Sequence, residues 1–237
     1  MCGRYSLTTD QEALAAAMGV EGLLRDGARY NIAPTQEAPV LFLGEGAEDG
    51  LVARQHRWGL LPAWIPAPDA RPPLINARSE TAHRKPSFRT AFRDSRCLVP
   101  ADGFFEWRKE SRGKIPYWIH REDRAPFTFA GLRQRWIGAD GRSLDTFAIL
   151  TAEARGAIRD IHHRMPVILP EGRRQAWLEP AGSIDVLREL LSDAISDDLV
   201  VTEVSTHVNA PANDDPRCIA PVGDSGGPPP PEQTSLF

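Results

Sequence analysis

Between Arg96 and Ala152 the sequence runs through four segments in succession, RCLVPADGFFEWR, IPYWIH, PFTFAGLRQRW and LDTFAILTA. Each is short, rich in β-branched or aromatic residues, and set off by turn residues, which is the signature of a strand. This succession constrains the fold more than any other stretch, because it leaves no room for the strand–helix alternation of a βαβ chain, and no glycine-rich phosphate loop occurs. Further strands are expected near Val40–Leu43, in LVARQHRW ahead of a turn at Gly59 and Pro62, in RMPVILP and in LVVTEVS. Helices are expected from Thr9 to Met18 with Thr8 or Thr9 as cap, in PSFRTAFRDS capped by Ser87, and in AEARGAIRDIH, PEGRRQAWLEP and SIDVLRELLSDAI. The sum is an α+β fold, compact and β-rich, with short peripheral helices.

The 237 residues suit one domain. Residues 1–216 are expected to form it, and 217–237 a Gly/Pro-rich tail, GDSGGPPPPEQTSLF at its end, without fixed structure. The net charge of −4 gives no overall basic signal, but the charge is uneven. Seven basic residues between Arg71 and Arg96 face only Glu80 and Asp94, whereas ten acidic residues from Ala181 onward accompany only Arg188 and Arg217. A local basic face beside an acidic C-terminal portion is therefore compatible with the total. Cys2, Cys97 and Cys218 are widely spaced, with no CxxC pair, which fits neither a disulfide framework nor a thiolate metal site. No secretory signal and no apolar run long enough to cross a membrane is found, so the expectation is a cytoplasmic protein with no membrane partner.

The residue that raises a chemical question is Cys2. A thiol behind the initiator adds nothing to a core and is oxidisable. Once Met1 is removed, however, Cys2 carries an α-amine and a thiol on adjacent carbons. Such a 1,2-aminothiol attacks an aldehyde twice, first through nitrogen and then through sulfur, closing a five-membered ring with the advantage of an intramolecular step. The bland alternative is an incidental small residue. Arg4 offers a cation for a phosphate or carboxylate, or a surface charge. Asn76 and Arg78 in PLINARSE share one face if that stretch is extended, which suits a phosphate or sugar oxygen; an Asx-type turn with a surface ion pair is the other reading. Glu106, between Phe105 and Trp107, is either a carboxyl of raised pKa suited to proton transfer or a solvent-facing strand residue. In IHHRMPVIL, His162 and His163 are natural proton shuttles, but in extended chain they point apart, and a structural role capping the preceding helix stands beside the catalytic one. They lack partners at zinc spacings. Cys97 reads as a buried strand residue.

MCGRY, RWGLLPAW, NARSET, RCLVPADGFFEW and IHHRMPVIL occur in this order, followed by VSTHVNAPAND. Together, from Cys2 to Asn213, they resemble the SOS-response-associated peptidase (SRAP) family, also called abasic-site processing proteins. The resemblance implies a barrel-like β-rich domain with a positively charged groove, whose substrate is an abasic site in single-stranded DNA at stalled replication. It implies a covalent thiazolidine between DNA and Cys2, shielding the lesion, with Asn76, Glu106 and His162 completing the active site. Arg4 and Arg78 match phosphate-contacting positions, and Trp58 and Trp64 lie in a DNA-facing segment. No metal, nucleotide or organic cofactor is expected, because the aldehyde is already electrophilic. Imine chemistry also permits β-elimination, so weak lyase activity is implied as a side reaction. Two rival readings are a cysteine peptidase built on Cys2 and His162, as the family name suggests, and a non-covalent single-strand binding module resting on Arg78 and the tryptophans.

Overall fold

The computed structural model describes residues 2–20, 27–44, 50–111, 113–180, 183–192 and 198–223. Its elements in order are β1 (Arg4–Leu7), α1 (Gln11–Met18), β2 (Arg29–Ile32), β3 (Glu37–Leu43), β4 (Leu51–Trp58), β5 (Asn76–Arg78), α2 (Ser79–Ala82), α3 (Arg89–Asp94), β6 (Arg96–Ala101), β7 (Gly103–Glu110), β8 (Gly113–Arg121), β9 (Phe127–Ile137) and β10 (Ser143–Glu153). A single turn of 3₁₀ helix, Gly156–Asp160, then leads to β11 (Arg164–Pro166), β12 (Ile168–Leu169), α4 (Glu171–Leu178), α5 (Ile184–Ser192) and β13 (Leu199–Glu203).

The four aromatic-rich segments supply β6 to β10, the centre of the molecule. Strands β10, β4, β3, β6 and β9 follow one another side by side, and β9 pairs back onto β10 through Ser143↔Ile137 to Ile149↔Gly131. That last pairing closes a five-stranded barrel and removes its free edges. Every residue of β6 is buried, as befits a strand flanked by β3 and β9. The short strands β5, β11 and β12 extend the barrel rim. A second sheet, in the order β13-β8-β7-β1-β2, packs beside it. Described helices lie at the periphery, α4 against β6 and α5 against α4. Among the described residues no helix is long and apolar enough to cross a membrane.

Strand β7 links the two layers. Phe104 belongs to the main core, with its ring 6.0 Å from that of Phe129, whereas Phe105 faces a second cluster with Trp118, Val204, Val208 and Cys218. With both faces covered, alternation along β7 turns Glu106 to the Phe104 side, toward the barrel. Gly103 opens the strand because Trp118 crosses over it: a Cβ there would lie 2.0 Å from the indole nitrogen.

Several local expectations change. The N-terminus is not a loose end: β1 lies between β2 and β7, with Tyr5 opposite both Ile32 and Phe104. Helix α1 is capped by Asp10, which accepts hydrogen bonds from the Glu12 and Ala13 amides, and not by Thr8 or Thr9. Those threonines are committed elsewhere. The buried Asp102 carboxylate accepts from the amides and hydroxyls of both, and from the Ser6 hydroxyl at 2.7 Å. Ser87 caps nothing; Phe88 holds the position before α3 without a side-chain cap. Strand β3 starts at Glu37 despite Pro39, because there only β4 pairs with it and β6 joins at Leu41. The folded chain also continues past residue 216. Cys218 is buried and the Val222 amide donates to the Glu203 carbonyl at 3.0 Å. The rest of the proline-rich tail, 224–237, lies outside the described residues.

Asp102 thus ties the strand that carries Cys2 to the β6–β7 turn. Asp102→Ala strands several buried donors and should destabilise the protein by about 3 kcal/mol. For a chain of this length that lowers Tm by about 6–12 °C, measurable by tryptophan fluorescence on heating. An unchanged midpoint would show that β1 is held by its ladder alone.

Candidate active site

The residues singled out from sequence come from four separate parts of the chain, and the fold brings four of them to one end of the barrel. Cys2 precedes β1 and is 0% exposed. Its thiol lies 3.7 Å from the Arg4 carbonyl, to which it donates. Asn76 opens β5, which runs parallel to β10 with Asn76 opposite Ile149. The Asn76 side-chain amide donates to the Cys2 carbonyl at 2.7 Å, fixing the orientation of that residue. Its Oδ1 is buried and meets no partner among the described residues.

Glu106 is 3% exposed. Burial raises its pKa above the ordinary carboxylate range. Burial likewise pushes the Cys2 thiol up, and the negative charge of Glu106 adds to the effect, so the thiol is protonated at neutral pH. The carboxylate Oε1 stands 3.9 Å from His162 Nδ1. Burial lowers the His162 pKa, making the neutral ring the resting form. The Arg164 backbone N–H donates to His162 Nδ1 at 3.0 Å, which assigns the neutral ring's proton to Nε2.

His162 and His163 do not point apart. They follow the 3₁₀ turn and precede β11, so strand alternation does not govern them, and their rings stack with centroids 4.4 Å apart. Arg164 behind them is buried and engages Glu80 through two parallel hydrogen bonds of 2.7 and 2.9 Å. Burial pushes the Glu80 carboxyl up, but this pairing outweighs it and leaves the pKa low. The ion pair of Glu80 is therefore with Arg164, 84 positions away, and anchors the histidine turn to α2.

Arg4 is largely committed to the fold. Its guanidinium donates to Asn31 Oδ1 at 2.9 Å and to the Val208 and Asn209 carbonyls at 2.8 and 3.2 Å. It nevertheless lines an open cavity of about 410 Å³ together with Glu106, Trp107, Lys114, His162 and Asn209. Arg78, at the end of β5, is exposed. The two tryptophans separate. Trp64 is 55% exposed in the loop after β4, with the Arg71 guanidinium 5.2 Å from its ring. Trp58 is 0% exposed, donates to the Ile75 carbonyl at 2.9 Å and packs between Tyr5 and Phe147. Its indole presents no face to a nucleic acid, so the expectation that it lines the DNA path is corrected: it is a core residue that holds β1 and the loop before β5 together.

Trp107, Lys114 and Asn209 were not singled out from sequence as site residues. The Trp107 indole donates to Asn209 Oδ1 at 2.8 Å, joining β7 to the segment after β13 across the cavity wall. Trp107 was visible as the neighbour of Glu106; nothing local marks Lys114 or Asn209. Away from this end, His207, Asp215 and Cys218 bring donor atoms within 4.8 Å of one another. There Asp215 accepts from Arg217 at 2.8 and 3.0 Å, which already supplies a cation, and the cluster reads as a latch on the last described turn.

Comparison with known proteins agrees with this geometry. Residues 1–211 match the family model described as SOS response associated peptidase (SRAP). The chain is 36% identical over 224 residues to the abasic site processing protein YoqW of Bacillus subtilis, covering 92% of this chain and 99% of that one. It is 36% identical over 186 residues to YedK of Escherichia coli, an abasic site processing protein by name, covering 75% and 79%. A crystal structure of a protein from Bacteroides thetaiotaomicron superposes with a TM-score of 0.80 at 28% identity, over 92% of this chain and 98% of the other. The chain belongs to the SOS response associated peptidase (SRAP) family.

Proposed function

We propose that the protein processes abasic sites in single-stranded DNA by capturing their aldehyde covalently on Cys2 after Met1 is removed. The observation that carries this reading is the convergence on Cys2 of a buried carboxyl, an amide on its own carbonyl and a neutral histidine, drawn from Glu106, Asn76 and His162. A lone incidental cysteine has no use for such surroundings.

The steps balance as follows. An abasic deoxyribose is mostly a closed hemiacetal; transfer of its hydroxyl proton opens the ring to the aldehyde. The α-amine of Cys2 adds to that carbon, and the carbinolamine loses water to give an imine. The thiol sulfur then adds to the same carbon while its proton passes to nitrogen. The product is a thiazolidine and one water, with no oxidant or cofactor consumed. Glu106, with its raised pKa, takes and returns the proton that opens the sugar. His162, neutral with Nε2 protonated, donates to the departing hydroxyl. Asn76 orients the nucleophilic residue through its carbonyl.

The electrostatics weigh against a peptidase. A thiol protease needs its sulfur ionised, usually by a neighbouring cation. Here burial and Glu106 hold the thiol protonated. That state suits an order in which the amine acts first and the thiol closes the ring afterwards. Weak lyase activity would arise from whatever imine eliminates before closure.

The decisive test is a denaturing gel after incubation with an oligonucleotide carrying one abasic site. A retarded band is expected, absent with a reduced, aldehyde-free analogue, absent for Cys2→Ala and absent when Met1 is retained. A band that survives all three controls would overturn the chemistry. Glu106→Gln should slow band formation by about 100-fold with unchanged affinity for intact single strands, measured by fluorescence anisotropy. A wild-type rate would remove Glu106 from the mechanism.

Exposed Arg78 and Trp64 are proposed to hold the strand, Arg78 by a phosphate and Trp64 by stacking. Arg78→Ala should reduce the slope of log affinity against log salt by about 0.7. Trp64→Ala should weaken binding by about 1–3 kcal/mol, whereas Trp58→Phe should lower Tm and leave the affinity of the folded protein alone. Equal affinities for wild type and Trp64→Ala would exclude the stacking role.

A further inference from the structure

Residues 224–237 have a sequence and a point of attachment that bear on what they do. The described chain is tied down to its last turn: Val204 bridges to Pro221, the Val222 amide donates to the Glu203 carbonyl, and Cys218 is buried among Phe105, Trp118 and Val208. This segment also contributes the Val208 and Asn209 carbonyls that hold Arg4 beside the cavity. The tail therefore leaves the fold from the element that walls the candidate active site.

Beyond that root, the sequence divides into a spacer and an end group. Residues 224–232, DSGGPPPPE, contain two glycines, four prolines and no large apolar side chain. That is the composition of a linker, flexible at the glycines and stiff at the prolines. Nine such residues reach at most about 30 Å. The last five residues, QTSLF, then place Leu236 and Phe237 side by side behind two small polar residues and Gln233. Two adjacent large apolar side chains on a polar tether serve no core, because the fold's own clusters close upstream of them. They have the form of a short peptide ligand. An apolar pair fills a partner's pockets and supplies most of the affinity, while a side-chain amide at the other end hydrogen-bonds at the rim and fixes direction.

We propose that residues 233–237 are a docking motif that seats Leu236 and Phe237 in a two-pocket apolar cleft of a DNA-encircling sliding clamp, with Gln233 hydrogen-bonded at the cleft's polar end. The choice of a clamp rests on the proposed function. A protein that must meet lesions wherever DNA synthesis halts, without regard to sequence, needs a partner that travels with synthesis and is itself blind to sequence. A tether of this reach keeps the cavity close to DNA threaded through such a ring and raises the local concentration of the active site there.

The test uses the full chain and a purified bacterial sliding clamp, without DNA, by surface plasmon resonance. Binding is expected, with a loss of about tenfold or more for Leu236→Ala/Phe237→Ala and a smaller loss for Gln233→Ala. A synthetic peptide of residues 228–237 should compete. All three tail residues lie outside the cavity, so these variants should form the abasic-site adduct on free oligonucleotides at the wild-type rate, which also reports that they are folded. Cys2→Ala should bind the clamp like the wild type, so loss of the adduct chemistry and loss of docking are read separately. No binding by the unaltered chain, or equal binding by it and Leu236→Ala/Phe237→Ala, would overturn the proposal.

Discussion

The structure depends on the burial of its own N-terminus. A chain end is ordinarily where order is weakest. Here β1 is an interior strand, hydrogen-bonded on one side to β2 and on the other to β7. The pairing Tyr5↔Phe104 sets Cys2 and Glu106 on neighbouring strands, so the distance between the two groups is fixed by a ladder and not by a loop. Asp102, reached by Ser6, Thr8 and Thr9, locks the far end of the same strand. The positional precision that a two-step capture requires comes from this sheet.

Burial has an electrostatic consequence that runs against stability. Glu106 and the Cys2 thiol both have their charged forms disfavoured by the surrounding core. A fold optimised for stability alone would put apolar side chains there. Around them the charges are paired instead: Arg164 with Glu80, and Arg4 with Asn31 and two carbonyls. The groups with perturbed protonation are concentrated at one end of the barrel, while the cations that frame it are neutralised or hydrogen-bonded. That contrast is what distinguishes a site from a structural ion-pair network.

The sequence was most informative where local chemistry agrees with the tertiary fold. The aromatic-rich runs became β6 to β10, and α4, α5 and β13 lie where periodicity set them. It was least informative where a residue's partner is distant. Thr8 and Thr9 satisfy every local criterion for a cap, but Asp102, more than ninety positions away, claims them. Glu80 looks like a partner for Arg78 and pairs with Arg164. Trp58 and Trp64 stand six positions apart in one motif, and only the closure of the barrel over Trp58 separates a core residue from an exposed ring. For Glu106 the alternation of β7 left two faces open. The choice between them required the second cluster around Phe105 and Trp118, which no local pattern announces.

A nucleophilic thiol that burial keeps protonated looks like a contradiction, and for a protease it would be one. For an aminothiol it is an advantage. Until the aldehyde has condensed with the α-amine, a free thiolate would be exposed to oxidation and to indiscriminate electrophiles. After condensation, the imine carbon is held one ring closure away from the sulfur, and the effective molarity of an intramolecular partner compensates for a small ionised fraction. The imine nitrogen can accept the proton that the sulfur gives up, so the thiol never needs to stand as a free anion. The same carboxylate that keeps the thiol neutral is positioned to relay that proton. On this reading Glu106 acts on the protein as much as on the sugar: its charge delays the sulfur until nitrogen has identified the substrate.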